Sequence, residues 1–381
     1  MFINLATRPP MKRILPILLL LLLSLPLVAQ KTHYTKFRPG TLWLDTDGRV
    51  INAHGGCVLF HEGKYYWFGE HREEFTTETL VGVSCYSSAD LLNWKSEGIV
   101  LPISKEKSSP LAAGALVERP RVVYNKKNKN FVMYFHLEPA GRQLGGCVGV
   151  AVSKSVTGPY KLVKHGRVNA EQWPMNGNVK HGRYTRADEE LSNKKWAEGW
   201  HNAVIEGLLV RRDFKTGQQC ADITLFSDDN GSCYLVYSSE DGLALHIAEL
   251  TDDYLNCTGR YMRVDPTGQN EAPIIFKSDG LYWLLTSSSS AWRHGATRLF
   301  SAPSIWGPWE PRLGPCKGKT AEKSFYSRGT YVFPVNGMPN AFIYMADIWR
   351  HYNPIDSRYV WLPVRFKYGT PVLEWQFNWQ L

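Results

Sequence analysis

Five times along this chain an apolar run, a turn rich in Gly, Asn or Lys, and an aromatic run ending in a polar or acidic residue follow one another. The copies are "CVLFHEGKYYWFGEH" (57–71), "RVVYNKKNKNFVMYFHLE" (121–138), "ITLFSDDNGSCYLVYSSE" (223–240), "PIIFKSDGLYWLLTSS" (273–288) and "YVFPVNGMPNAFIYMADIW" (331–349). Apolar and β-branched runs on either side of such turns predict β-hairpins. After each hairpin comes a third strand and usually a fourth, over 81–98, 147–163, 243–259, 297–312 and 358–375. Five four-stranded repeats predict an all-β chain folded as a five-bladed β-propeller. Only residues 164–219 break the pattern. They read as a polar loop and then an amphipathic helix within 187–212, an insertion that would rim a site or mediate association.

In a propeller the first strand of each blade lines the axis, so the heads and tails of the repeated hairpins converge on one funnel. Glu70, Glu118, Glu240, Glu271 and Asp347 stand near those positions. Glu271, in "NEAPIIF", heads a buried strand beside Ala272 and Pro273, where desolvation would raise its pKa toward the range a general acid needs. Glu118 opens the second hairpin in the same way, next to Arg119, which could pair with it or bind a hydroxyl. Trp292 offers a flat apolar face for a sugar ring. His54, before Gly55 and Gly56, is a weaker candidate for a binding residue, because single histidines are commonly satisfied in cores.

Composition supports the β reading and narrows the function. Fourteen Trp, nineteen Tyr and sixteen Phe suit strands. Residues 1–29, with Arg8, Lys12 and Arg13 ahead of the apolar run Ile14 to Leu23, read as a signal peptide cut after Ala29, leaving 30–381 as the propeller domain. An exported protein, periplasmic or secreted, with no membrane segment in its mature form is expected. The formal charge of +9 includes the three positive residues of that leader, and no dense Lys/Arg block argues for nucleic acid. Seven widely spaced cysteines without a CxxC pair imply neither zinc nor a disulfide framework. His54, His136, His201 and His246 lack metal-ligand spacing, so no metal site and no cofactor is expected; an axial calcium has no readable ligand set.

Taken together, "INAHGG…YYWFGEH", "ERPRVVYN", "DITLFSDDNGSCYLVYSSE", "NEAPIIFK", "YSRGTYVFPV" and "SRYVWLPV" resemble glycoside hydrolase family 43, in particular its exo-β-1,3-galactanase-like and galactosidase/arabinofuranosidase branches. The resemblance covers nearly all of 40–381 and implies the same five-bladed fold. It implies Glu271 as general acid and Glu118 as the acid that tunes it. It further implies Glu70, Arg119, Asp222 and Trp292 as contacts of the terminal sugar, with Glu240 and Asp347 as further contacts.

Two departures bear on the chemistry. Much of the family carries its general base as an aspartate in an Asp-Pro pair near the first strand, where this chain has Ala53-His54. The galactanase-like branch has a Gln in "SQST" instead; here the stretch is "SRGT", with Arg328. An arginine stays protonated and cannot take a proton from water, though it can bind a carboxylate or a sugar hydroxyl. Either another carboxylate, Glu70 or Asp222, acts as base, or catalysis is weak or absent. The leading expectation is an inverting exo-hydrolase that releases terminal galactose or arabinofuranose from a plant-type polysaccharide. The alternatives are an α-L-arabinofuranosidase or β-galactofuranosidase, a catalytically silent sugar-binding propeller, and, least favoured, a protein scaffold.

Overall fold

The computed structural model describes residues 33–141, 145–288 and 295–381. The leader and Trp292 lie outside the described residues. Strands make up five sheets. Blade 1 is β1 (His54–His61), β2 (Lys64–Glu70), β3 (Gly82–Ser88) and β4 (Lys95–Pro102); blade 2 is β5 (Leu116–Asn125), β6 (Asn130–Glu138), β7 (Cys147–Ser153) and β8 (Lys161–Gly166). Blade 3 is β9 (Ala221–Ser227), β10 (Cys233–Ser239), β11 (Ala244–Leu250) and β12 (Cys257–Val264); blade 4 is β13 (Asn270–Ser278), β14 (Leu281–Ser288), β15 (Thr297–Ala302) and β16 (Glu310–Arg312). In blade 5 the short β17 (Cys316–Lys317) pairs in parallel with the outermost β21 (Thr370–Glu374), outside β20 (Arg358–Lys367), β19 (Phe342–Ile348) and β18 (Arg328–Pro334). The first strands β1, β5, β9, β13 and β18 each contact the next, and β18 contacts β1, which closes the ring.

Each sheet is packed between two neighbours, so both faces of its inner strands are buried and their sequences read as continuous apolar runs. Strand β13 shows how alternation serves both faces. Ile274 and Phe276 enter the core shared with blade 5, while Ile275 between them enters the core shared with blade 3. Asp279 and Gly280, both left-handed, close the two-residue loop to β14, the conformation such a loop requires. Between blades 5 and 1 the core is aromatic: Trp67, Trp94 and Trp361 are fully buried, and Phe37 stacks on Trp379 at 4.1 Å. Reciprocal backbone hydrogen bonds of 2.9 and 3.1 Å join Phe37 to Trp379, so the first and last described segments are tied together.

In place of the single amphipathic helix expected within 187–212 the insertion has three short ones, α1 (Arg186–Ser192), α2 (Trp200–Ile205) and α3 (Leu208–Asp213). Gly199 and Gly207, both left-handed, precede α2 and α3 and turn the chain between them. Trp200, Val204, Leu208 and Leu209 form their own small core with Leu243 of blade 3. All seven cysteines are free thiols, five of them buried.

Candidate active site

All five first strands carry the same irregularity. In four, two residues of the inner strand oppose one of its partner, and in the fifth one residue opposes none, so that a single extra residue bulges out: between His54 and Cys57, Glu118 and Arg121, Ala221 and Thr224, Glu271 and Ile274, and Gly329 and Tyr331. At four of these bulges a residue is left-handed: Gly55, Arg119, Asp222 and Ala272. A bulge re-aims the side chains beside it. Here it turns Glu118, Arg119, Asp222 and Glu271 into the same mouth of the funnel. Gly55 cannot be replaced freely, because a Cβ there would lie 2.1 Å from a carboxylate oxygen of Glu70.

Arg328 stands at the centre of one half of the site. Its Nη2 donates to Asp222 Oδ2 and, at 2.8 Å, to Glu271 Oε2. Asp222 Oδ1 also accepts from Arg119 Nε at 2.9 Å, and Arg119 reaches across the axis to the carbonyl of Gly329. Burial opposes a charge on Asp222, but Arg328 and Arg119 outweigh it and hold the carboxyl well below the usual range. Glu271 and Asp222 remain 29% and 19% exposed. Glu271 is thus not the dry carboxyl beside Ala and Pro that its strand suggests: it faces a cation and the open funnel. Its Oε1 has no hydrogen-bond partner among the described residues.

The other half is built around Glu118. Its Oε1 accepts from Arg72 Nη2 at 3.2 Å, and its Oε2 lies 3.4 Å from His136 Nδ1. On the far side of the ring His136 Nε2 lies 3.1 Å from Glu138. Burial disfavours an imidazolium, but the two flanking carboxylates raise His136 to about 10. Glu118 is in turn held at about 2, burial being outweighed by His136 and Arg72. Glu70 is almost fully buried, and both its oxygens are occupied, one by Arg72 and the other by the Arg119 amide at 2.8 Å.

Asp347 completes the ring from β19. Its Oδ2 accepts from the Gly55 amide at 2.6 Å, and the same oxygen is 3.9 Å from His54. His54 is fully enclosed and stacks on Tyr359 at 5.0 Å; burial, reinforced by Arg72, lowers it to about 3 and keeps it neutral. It packs behind Asp347 and is out of reach of a substrate, which corrects its reading as a binding residue.

Glu240 is a second correction. It is 0% exposed and accepts two hydrogen bonds from Arg263, at 2.7 and 2.6 Å, and one contact from His246 at 2.9 Å. Arg263 also donates to the carbonyls of Val204 and Ile205 in α2. Glu240 therefore anchors the insertion to blade 3, fully enclosed and out of reach of a sugar.

Sequence reading passed over Arg72 and Glu138, and weighed His136 only as a metal ligand. His136 was available as the cross-strand partner of Glu118, a pairing that requires the bulge to be placed first. Two cavities of about 420 and 550 Å³ lie on the outer side of blades 3 and 4, around Trp306, Trp309 and Arg312, and no funnel carboxylate lines them.

A family model for glycosyl hydrolases family 43 matches residues 195–345. A solved family 43 β-1,3-galactosidase, in complex with galactodeoxynojirimycin, is 47% identical over 91% of this chain and 100% of its own, with a TM-score of 0.85. The exo-β-1,3-galactanase of Phanerochaete chrysosporium, solved with galactose, is 28% identical over 91% of this chain and 68% of its own, with a TM-score of 0.72. A β-D-galactofuranosidase of Aspergillus niger is 24% identical over 285 residues, 72% of this chain and 66% of that relative's length.

Proposed function

Because the chain belongs to glycoside hydrolase family 43, and is therefore a glycosidase, we propose that it releases a terminal galactose-type sugar from a β-1,3-galactan or arabinogalactan chain, with inversion, using Glu271 as general acid. The observation that carries this reading is the delivery of Glu118, Asp222 and Glu271 by bulged first strands to one funnel, where each keeps some exposure. The relatives lend the sugar class, since all three are named for galactose or galactofuranose.

In this mechanism Glu271 Oε1, the open oxygen, carries the proton to the glycosidic oxygen while Arg328 holds Oε2. Arg328 is 40% exposed, so an entering sugar hydroxyl can compete for it and loosen its hold on the acid. Glu118, locked as an anion by His136 and Arg72, sets the negative potential around the acid. Asp222 and Arg119 are placed to take hydroxyls of the terminal ring. The leader suits export, where such polymers are met; immunodetection of the chain in periplasmic and culture fractions tests that part.

The deciding experiment is chromatography of products from β-1,3-galacto-oligosaccharides, arabinogalactan side chains and aryl galactofuranosides and arabinofuranosides, with Glu271→Gln beside the wild type. One monosaccharide released by the wild type and lost in the variant supports the reading and names the sugar. A second reading, a silent sugar-binding propeller, draws on the ion pair that occupies Glu271. No release by either protein, with sugar binding retained by both, would favour it.

A further inference from the structure

An inverting hydrolase needs a carboxylate to take a proton from the attacking water, at about 6.5–9.5 Å from the acid. Arg328 cannot serve, and of the five funnel carboxyls one is the acid and three are excluded by their partners. Glu271 is the acid. Asp222 and Glu271 share one nitrogen of Arg328, so their oxygens stand closer together than that spacing, with no room for a sugar and a water between them. Both oxygens of Glu70 are taken, by Arg72 and the Arg119 amide, and both of Glu118, by Arg72 and His136.

Asp347 differs from all of them. Among the described residues it has no guanidinium or ammonium partner; one oxygen is fixed by the Gly55 amide, and Oδ1 is left without a hydrogen bond. Its side chain keeps 10% exposure, beside Gly55. Asp347 pairs across β18–β19 with Arg328, and so stands on the far side of that residue from Glu271, which is on β13. A carboxyl fixed at one oxygen, open at the other and removed from the acid by one residue is arranged to receive a proton.

We propose that Asp347 is the general base of this enzyme, a role that rests on the inverting-hydrolase reading above. As the water oxygen bonds to the anomeric carbon, one water proton passes to Asp347 Oδ1. The bond from that carbon to the glycosidic oxygen breaks in the same step, and the departing oxygen takes the proton of Glu271. Solvent then reprotonates Glu271 and removes the proton from Asp347. Burial, with the nearby charge of Glu70, raises Asp347 to about 7 against the pull of the Gly55 amide, so the group both accepts and releases a proton near neutral pH.

The test compares wild type, Asp347→Asn and Asp347→Ala on the substrate that the product panel identifies, with folding of each checked by circular dichroism and Tm. Folded Asp347→Asn is expected to lose about 10²–10⁴-fold in kcat with KM little changed. Sodium azide, which needs no deprotonation, is expected to restore turnover in Asp347→Ala and to yield a glycosyl azide of inverted anomeric configuration. A folded Asp347→Asn within tenfold of wild type overturns the assignment. So does a loss of kcat that azide does not rescue in folded Asp347→Ala, which would make Asp347 a positioning residue. A wild type silent on every substrate sinks the hydrolase reading and this one with it; an active wild type beside an unaffected Asp347→Asn sinks this one alone.

Discussion

Glu240 and Glu271 are acids that stand at comparable points of the repeated hairpins, yet they end in opposite circumstances. Glu240 follows a second strand, β10, and is swallowed by blade 3 and the insertion: Arg263 and His246 hold both its oxygens' contacts inside the protein, at 0% exposure. Glu271 heads a first strand, just before a bulge, and the structure leaves it one cation and one open oxygen. What separates a structural ion pair from a chemical one here is unspent hydrogen-bonding capacity facing the funnel. Charge alone does not separate them, since both sites contain a carboxylate held by arginine.

The comparison can be broken most forcefully at Glu271. Replacement by Gln keeps the shape and the contact with Arg328 but removes the proton, so kcat/KM on an unactivated substrate is expected to fall about 10²–10⁴-fold with little change in Tm. Next in size is Arg263→Met, which leaves Glu240 charged and buried without its main partner. A loss of about 3–5 kcal/mol of stability is expected by denaturant titration, with kcat of the remaining folded enzyme unchanged. A stable Arg263→Met protein with abolished turnover would place Glu240 in the site after all.

A smaller effect sharpens the contrast through pH. His136 is raised to about 10 in the folded state, above its ordinary value near 6.5. Its contribution to stability is therefore complete below about pH 6.5 and is lost as pH climbs through about 10. Tm measured across that window should decline in the wild type and decline less in His136→Gln; equal slopes would remove the imidazolium from the account. Smallest is Arg328→Lys, which keeps the charge but gives up the planar fork. KM is expected to rise about tenfold or less, since the guanidinium holds the carboxylates of Asp222 and Glu271 and takes no proton; a loss of kcat as large as that of Glu271→Gln would contradict that role.

Much of the propeller was legible because burial on both faces writes each inner strand as an apolar run, as in Ile274–Phe276, and because turns such as Asp279-Gly280 declare themselves. The acids at the strand heads were legible for the same reason: a Glu or Asp interrupting such a run stands out. The bulges were not, since left-handed Arg119, Asp222 and Ala272 are ordinary residues in unusual conformations, fixed by the ring of blades rather than by their own preference. Without the bulges the registers that pair Glu118 with His136 cannot be drawn. The helices of the insertion were half legible: its apolar positions read as one helix, and only the packing of Trp200 and Leu208 on blade 3 shows why Gly199 and Gly207 divide it.

The central claim, that Glu271 is the acid of this funnel, is tested most directly by the leaving-group dependence of Glu271→Gln. An aryl glycoside of the released sugar with a dinitrophenolate leaving group needs no protonation; the phenyl analogue does. The account predicts that the variant approaches wild-type kcat on the first and stays orders of magnitude below it on the second. An equal loss on both substrates would show that Glu271 does something other than give up a proton.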